Sequence, residues 1–162
     1  MARPTEKPRL GTIDADALGE EVVRAVTDQI HRLCQRLDVG GAYKVPAGDS
    51  LRWTVRLLVG YAQRGLSATD WPDHGGATDA LLDVCVALYT SAGSPGIGAG
   101  ILDNEADASD PLGVVLLAAH ARVRIDRRER VPVRELAALA GVDPDHVRLL
   151  ARRGELELED GA

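Results

Sequence analysis

The chain has 162 residues and a formal net charge of −6, with 45% hydrophobic residues but no Phe, one Met and only 3% aromatics. That length suits one domain of ordinary size and lets about two-thirds of the unfolded surface be buried, so neither a disulfide nor a metal is required for stability. Cys34 and Cys85 are isolated in apolar runs, which excludes a disulfide framework or CxxC knuckle. No apolar run approaches the roughly 18 residues of a membrane span and the N-terminus lacks a signal-type apolar core, so a cytoplasmic protein without membrane contact is expected. A core lacking Phe must be built from Leu, Val and Ala, and Leu and Ala favour helices.

Residues 1–13 are polar with two prolines and are expected to form a flexible arm. A long helix then starts at Asp14 or Asp16 and ends at Gly40-Gly41, because Leu18, Val22, Val26, Ile30, Leu33 and Leu37 recur on one stripe. A second helix starts at Asp49 or Ser50 and stops at Gly65, with Leu51, Val55, Leu58 and Ala62 along its stripe. After a turn-rich stretch, Thr78 can cap a helix that is apolar nearly all round from Ala80 to Tyr89, as befits a central or interface helix. Residues 93–108 form a Gly-rich acidic loop, and Ser109-Asp110-Pro111 reads as the next helix start. Leu112, Val115, Leu116, Ala119 and Val123 form the buried side of that helix.

Charge is unevenly spread along the chain. Residues 65–121 contain eight acids and no Lys or Arg, whereas residues 122–154 hold nine Arg against five acids. A chain polarised in this way can be acidic overall and still present one basic face, since a ligand feels the local field.

The last segment, VRELAALAGVDPDHVRLLARRGELEL, begins at Val133 and fits two short helices at about 133–140 and 144–153. Helices that meet steeply after a short turn need a small residue where their backbones approach, here Ala137, and a turn residue tolerant of the left-handed region, here Gly141. Asp143 stands where a cap for the second helix belongs, and Pro144 fits its first position. Leu136, Ala137, Ala140, Val142, Val147 and Leu150 are the expected inward-facing residues.

This pattern, Leu136-Ala137, Ala140-Gly141-Val142, Val147 and Leu150, resembles the helix-turn-helix of bacterial DNA-binding proteins. The trailing ARRGELEL is similar to the small excisionase-type winged variants, so the resemblance spans about residues 110–158 and does not reach the first hundred residues. It implies a second helix lying in the major groove, with Asp145, His146, Arg148, Leu149, Arg152 and Arg153 exposed towards DNA. Arg148 then suits a guanine, Asp145 a cytosine amine, and Arg152 and Arg153 phosphates. Arg127, Arg128, Arg130 and Arg134 fall where backbone contacts arise. The chain departs from the family in carrying Asp143 and Asp145 near the start of that helix, and in its acidic wing of Glu155, Glu157 and Glu159.

Other constellations carry less chemistry. The run from Gly93 to Gly100 lacks the Lys-Ser/Thr that grips phosphate, and Asp70, Asp73, His74 and Asp79 match no standard metal spacing. No nucleophile–base arrangement stands out, so neither an enzyme nor a cofactor is expected.

The expected fold is all-α: the arm at 1–13, a helical dimerisation or partner-binding region at 14–108, and a three-helix helix-turn-helix unit at 109–162 with room for a short terminal strand. The expected function is sequence-specific binding of double-stranded DNA by a small homodimeric bacterial-type transcriptional regulator. The alternative is a non-catalytic protein-interaction subunit whose acidic 65–121 stretch docks a protein partner.

Overall fold

The computed structural model describes residues 8–36, 48–65 and 110–156. Within them lie five α-helices and a single-turn 3₁₀ helix at Leu10–Thr12, and no strand. The helices are α1 (Ala15–Arg36), α2 (Asp49–Arg64), α3 (Pro111–Asp126), α4 (Val133–Ala140) and α5 (Pro144–Arg152). The all-α expectation therefore holds for the described residues. The helix expected from Thr78, the Gly-rich loop at 93–108, Cys85, and the Asp70, Asp73, His74 and Asp79 group all lie outside them.

The carboxylate of Asp14 starts α1 by accepting from the backbone N–H groups of Asp16 at 2.8 Å and Ala17 at 3.0 Å. These bonds, Ala17's foremost, hold its pKa below the usual value. Leu18 and Val22 are buried, Val26 and Ile30 half-buried, and Glu20, Arg24 and Asp28 face water. Leu37 and the side chain of Leu33, the last positions of the expected stripe, lie outside the described part. Helix α2 buries Val55, Leu58 and Ala62 of the stripe its spacing predicts and Val59 beside them, while Leu51 is half-buried.

The two helices run antiparallel, as their cross-contacts show. Asp16 pairs with Arg56, Glu20 takes a two-pronged contact from Arg52 at 2.6 and 3.2 Å, and Val23 lies against Gly48. Gly48 has φ of 73°, and a Cβ there would stand 2.7 Å from a methyl of Val23, so only glycine lets α2 begin this close to α1.

The part of the arm from Pro8 to Ile13 is held in place rather than free. Leu10 is buried in the core, and the Gln63 side-chain amide donates to the Leu10 and Ile13 carbonyls at 2.9 and 3.0 Å.

Helix α3 is capped as its sequence predicts, with Asp110 accepting from Gly113 N–H at 2.9 Å and Pro111 in the first turn. Its burial exceeds the expected stripe. Every residue from Gly113 to Ala119 is buried, followed by Ala121 and Val123. Among the described residues α2, the 3₁₀ turn and α4 all pack on it. Its core joins Leu10, Leu18, Val55 and Leu58 to Leu116, Leu117 and Ala138, and so runs across the boundary expected near residue 108.

Polar contacts then fix the angle of α3. Arg122 Nε donates to the Ala62 carbonyl at 2.7 Å and Nη2 to that of Gln63 at 3.3 Å, placing a cation on the open carbonyls of the α2 C-terminus. Tyr61, buried, donates its O–H to Asp126 at 2.6 Å. On the far side, Glu135 of α4 is only 3% exposed. Its Oε1 lies 2.9 Å from Nδ1 of His120, and its Oε2 lies 3.2 Å from Nε of Arg124, an ion pair not aligned as a hydrogen bond. A carboxylate so deeply buried persists only with such partners.

Two outcomes follow from these contacts. Glu135→Ala should cost about 3 kcal/mol in urea denaturation, the low end for a broken buried pair, because His120 and Arg124 keep some solvent access. Burial, then the bond to Asp126, raises the pKa of the Tyr61 phenol above its ordinary value. Its neutral form is thus favoured by folding, and that contribution is fully present below about pH 10 and is lost as pH rises through the raised folded value. Tyr61→Phe should therefore cost about 1.5–3 kcal/mol at pH 7 and flatten the fall in stability above about pH 10 in the same titration.

Candidate nucleic-acid interface

The unit built on α3 is completed by α4 and α5, joined by residues 141–143. Gly141 has φ of 67°. Its N–H donates to the Ala138 carbonyl at 3.3 Å and that of Val142 to the Ala137 carbonyl at 3.0 Å, the paired bonds of a left-handed helix end. Asp143 then caps α5 by accepting from Asp145 N–H at 3.0 Å, with Pro144 behind it in the first turn. Local sequence thus dictates the turn, as its residue types predict.

Packing agrees with the expected inward set in part. Ala137 and Val147 are buried and meet Val133, while Leu136 and Leu150 are half-buried. Ala140 is exposed, because it is the last residue of a short helix and lies at the rim. Val142, expected between the helices, is 38% exposed. The left-handed step at Gly141 turns it outwards, and Leu156 packs against this small core from beyond α5. Glu155 and Leu156 form a bend, and the rest of the expected wing lies outside the described residues.

Three successive helices end in the same motif, with one exception in its chemistry. After α3 the left-handed residue is Arg128, φ 58°, with Arg128 N–H on the Ile125 carbonyl at 3.0 Å and Glu129 N–H on that of Arg124 at 2.8 Å. After α5 it is Gly154, φ 74°, with matching bonds to Ala151 and Leu150. Glycine occupies this position without strain, whereas an L-residue costs about 1 kcal/mol there. Arg128 is exposed, and among the described residues nothing pairs with its side chain.

Helix α5 buries a single residue, Val147. Asp145, His146, Arg148, Leu149, Arg152 and Arg153 are all exposed. Arg148 Nη1 lies 2.7 Å from Asp145 Oδ1, with the arginine side chain still 54% exposed. The other predicted arginines fall in the turn after α3 and on α4. Arg127, Arg128 and Arg130 are exposed and Arg134 is half-buried, and Arg127, Arg130 and Arg134 each engage a partner. Sequence reasoning missed the His120–Glu135–Arg124 cluster. The spacing of His120 and Arg124 by one helical turn was a signal, but Glu135 reads as an ordinary acid in a helix's first turn.

No family model, curated protein or solved structure matches the chain. Among the described residues, no helix is long and apolar enough to cross a membrane.

The turn yields a direct test. A Cβ at Gly141 would meet no atom within 4 Å, so Gly141→Ala carries only the backbone cost, about 1 kcal/mol, and Gly141→Asn less. Thermal unfolding should rank the variants Gly, Asn, Ala in falling stability. A far larger loss for Ala would mean that the turn is packed more tightly than this.

Proposed function

We propose that this chain is a sequence-specific DNA-binding protein, a small cytoplasmic bacterial-type transcriptional regulator that acts as a homodimer and performs no chemistry. The observation that carries this reading is the outward face of α5. A nine-residue helix that buries only Val147 presents most of its remaining side chains, Arg148 and Arg152 among them, at the edge of a three-helix unit, and Arg153 follows at its C-cap. In this reading α5 enters the major groove, with Arg148 on a guanine and His146 near base edges. Arg152, Arg153 and the arginines at 127, 128, 130 and 134 lie along the phosphates.

Two further features support it. The aspartates that would repel phosphate have internal roles, Asp143 as a cap and Asp145 as the partner of Arg148. Arg128 keeps a charged side chain at a position where the two following helices use glycine, and strain retained in this way marks a residue held for its side chain. Dimeric binding follows from scale, since one short helix covers too few base pairs for useful specificity. A protein-interaction subunit is the competing reading, favoured by the exposed Val142 and Leu149.

Selection from a random-duplex pool, followed by anisotropy titration across salt, separates the two. A regulator enriches a defined site and loses affinity linearly in log–log salt. Arg148→Ala should relax one base position by about 1–3 kcal/mol, whereas Arg152→Ala should weaken all duplexes alike and lower the salt slope by about 1. Arg128→Gly should stabilise the fold by about 0.5–1 kcal/mol while weakening DNA binding, an opposition that a purely structural residue does not produce. No enrichment of any sequence would remove the regulator reading in favour of the interaction subunit.

A further inference from the structure

We infer that α5 reads a guanine beside a thymine, with Asp145 positioning Arg148 for the guanine and Leu149 covering the thymine methyl. This rests on the DNA-binding reading above and assigns two residues that it leaves open. Asp145, taken alone in the sequence, suits a cytosine amine. In the structure its Oδ1 instead engages Arg148 Nη1 at 2.7 Å, one turn along the helix. An arginine on a free surface samples many rotamers and loses that freedom on binding. A carboxylate on the same helix face restricts it beforehand, and it occupies only one edge of the guanidinium. The remaining N–H donors stay available for the two acceptors of a guanine. Asp145 is therefore a positioning residue, and its charge is neutralised where the backbone phosphates approach.

Leu149 is 40% exposed, next in sequence to Arg148 and within a turn of Arg152 and Arg153. A large apolar side chain amid three cationic ones matches a surface that is anionic and carries an isolated apolar group. In the major groove, only the C5-methyl of thymine is such a group. The adjacent placement of Arg148 and Leu149 on one helix then puts the guanine and the thymine in neighbouring base pairs.

The test uses the full chain on its selected duplex. Replacing the contacted thymine with deoxyuridine, which removes only the methyl, should weaken wild-type binding about fourfold. The same replacement should leave Leu149→Ala binding unchanged. Asp145→Asn should bind random duplex more tightly, having lost a negative charge, yet discriminate the guanine about three- to tenfold less well. Asp145→Glu should recover that discrimination, and circular dichroism should show the same helix content for every variant. If wild type selects a site but deoxyuridine binds equally, or if Asp145→Asn keeps its full discrimination, the inference fails while the regulator reading stands. If wild type binds no duplex, both fail together.

Discussion

Helix α3 has no wet side from Gly113 to Ala119, about two turns in which every residue is buried. A helix in that position must be satisfied from every direction by close neighbours, and among the described residues α2, the 3₁₀ turn and α4 are such neighbours. The missing Phe gains a physical sense from this arrangement. Among the described residues the largest fully buried side chains are Leu58, Leu116, Leu117, Val55, Val59 and Val115, all of modest size, so helices approach one central rod closely without large rings to accommodate. The constraint also transmits orientation. Because α3 belongs both to the core with α1 and α2 and to the unit with α4 and α5, the outward face of α5 is fixed relative to the N-terminal helices.

Into this apolar setting the chain admits one charged side chain from α4, Glu135. A buried carboxylate contributes little net stability, but it has strict requirements for partners. His120 and Arg124 meet them from consecutive turns of α3, one on each carboxylate oxygen. Leu or Val at the same place would pack α4 about as firmly, yet would let it slide or rotate along α3. The ion cluster sets the register instead, as Arg122 and Tyr61–Asp126 do for the α2–α3 contact.

What was legible in the sequence was local. Asp14, Asp110 and Asp143 cap the helices that their positions predict, and Gly141 closes α4 in the left-handed region, because each such bond lies within a few residues of its origin. The exposed set on α5 was legible for the same reason, since one buried residue, Val147, fixes the helix's rotation. What was not legible depends on packing between distant segments. The all-round burial of α3 exceeds its expected stripe, Leu10 leaves the arm for the core, Leu156 packs against the small core while Val142 does not, and Glu135 is inside rather than wet. Nothing in a single helix's periodicity reports how many neighbours will surround it.

The charge pattern shows how far an average can mislead about a surface. A net charge of −6 argues against a polyanion partner only if its acids face that partner. Along the segment from α3 to α5 most of them, though exposed, already hold a partner within the protein. Glu135 is buried between helices, Asp126 receives the Tyr61 hydroxyl, Asp143 closes a helix end, and Asp145 lies against Arg148. Each of these carboxylates is matched within the protein, whereas Arg128 stands exposed at a strained position and Arg152 and Arg153 extend from the last turn of α5. The acidity of the whole chain is therefore a poor guide to this edge, where exposed arginines stand beside the exposed Glu155.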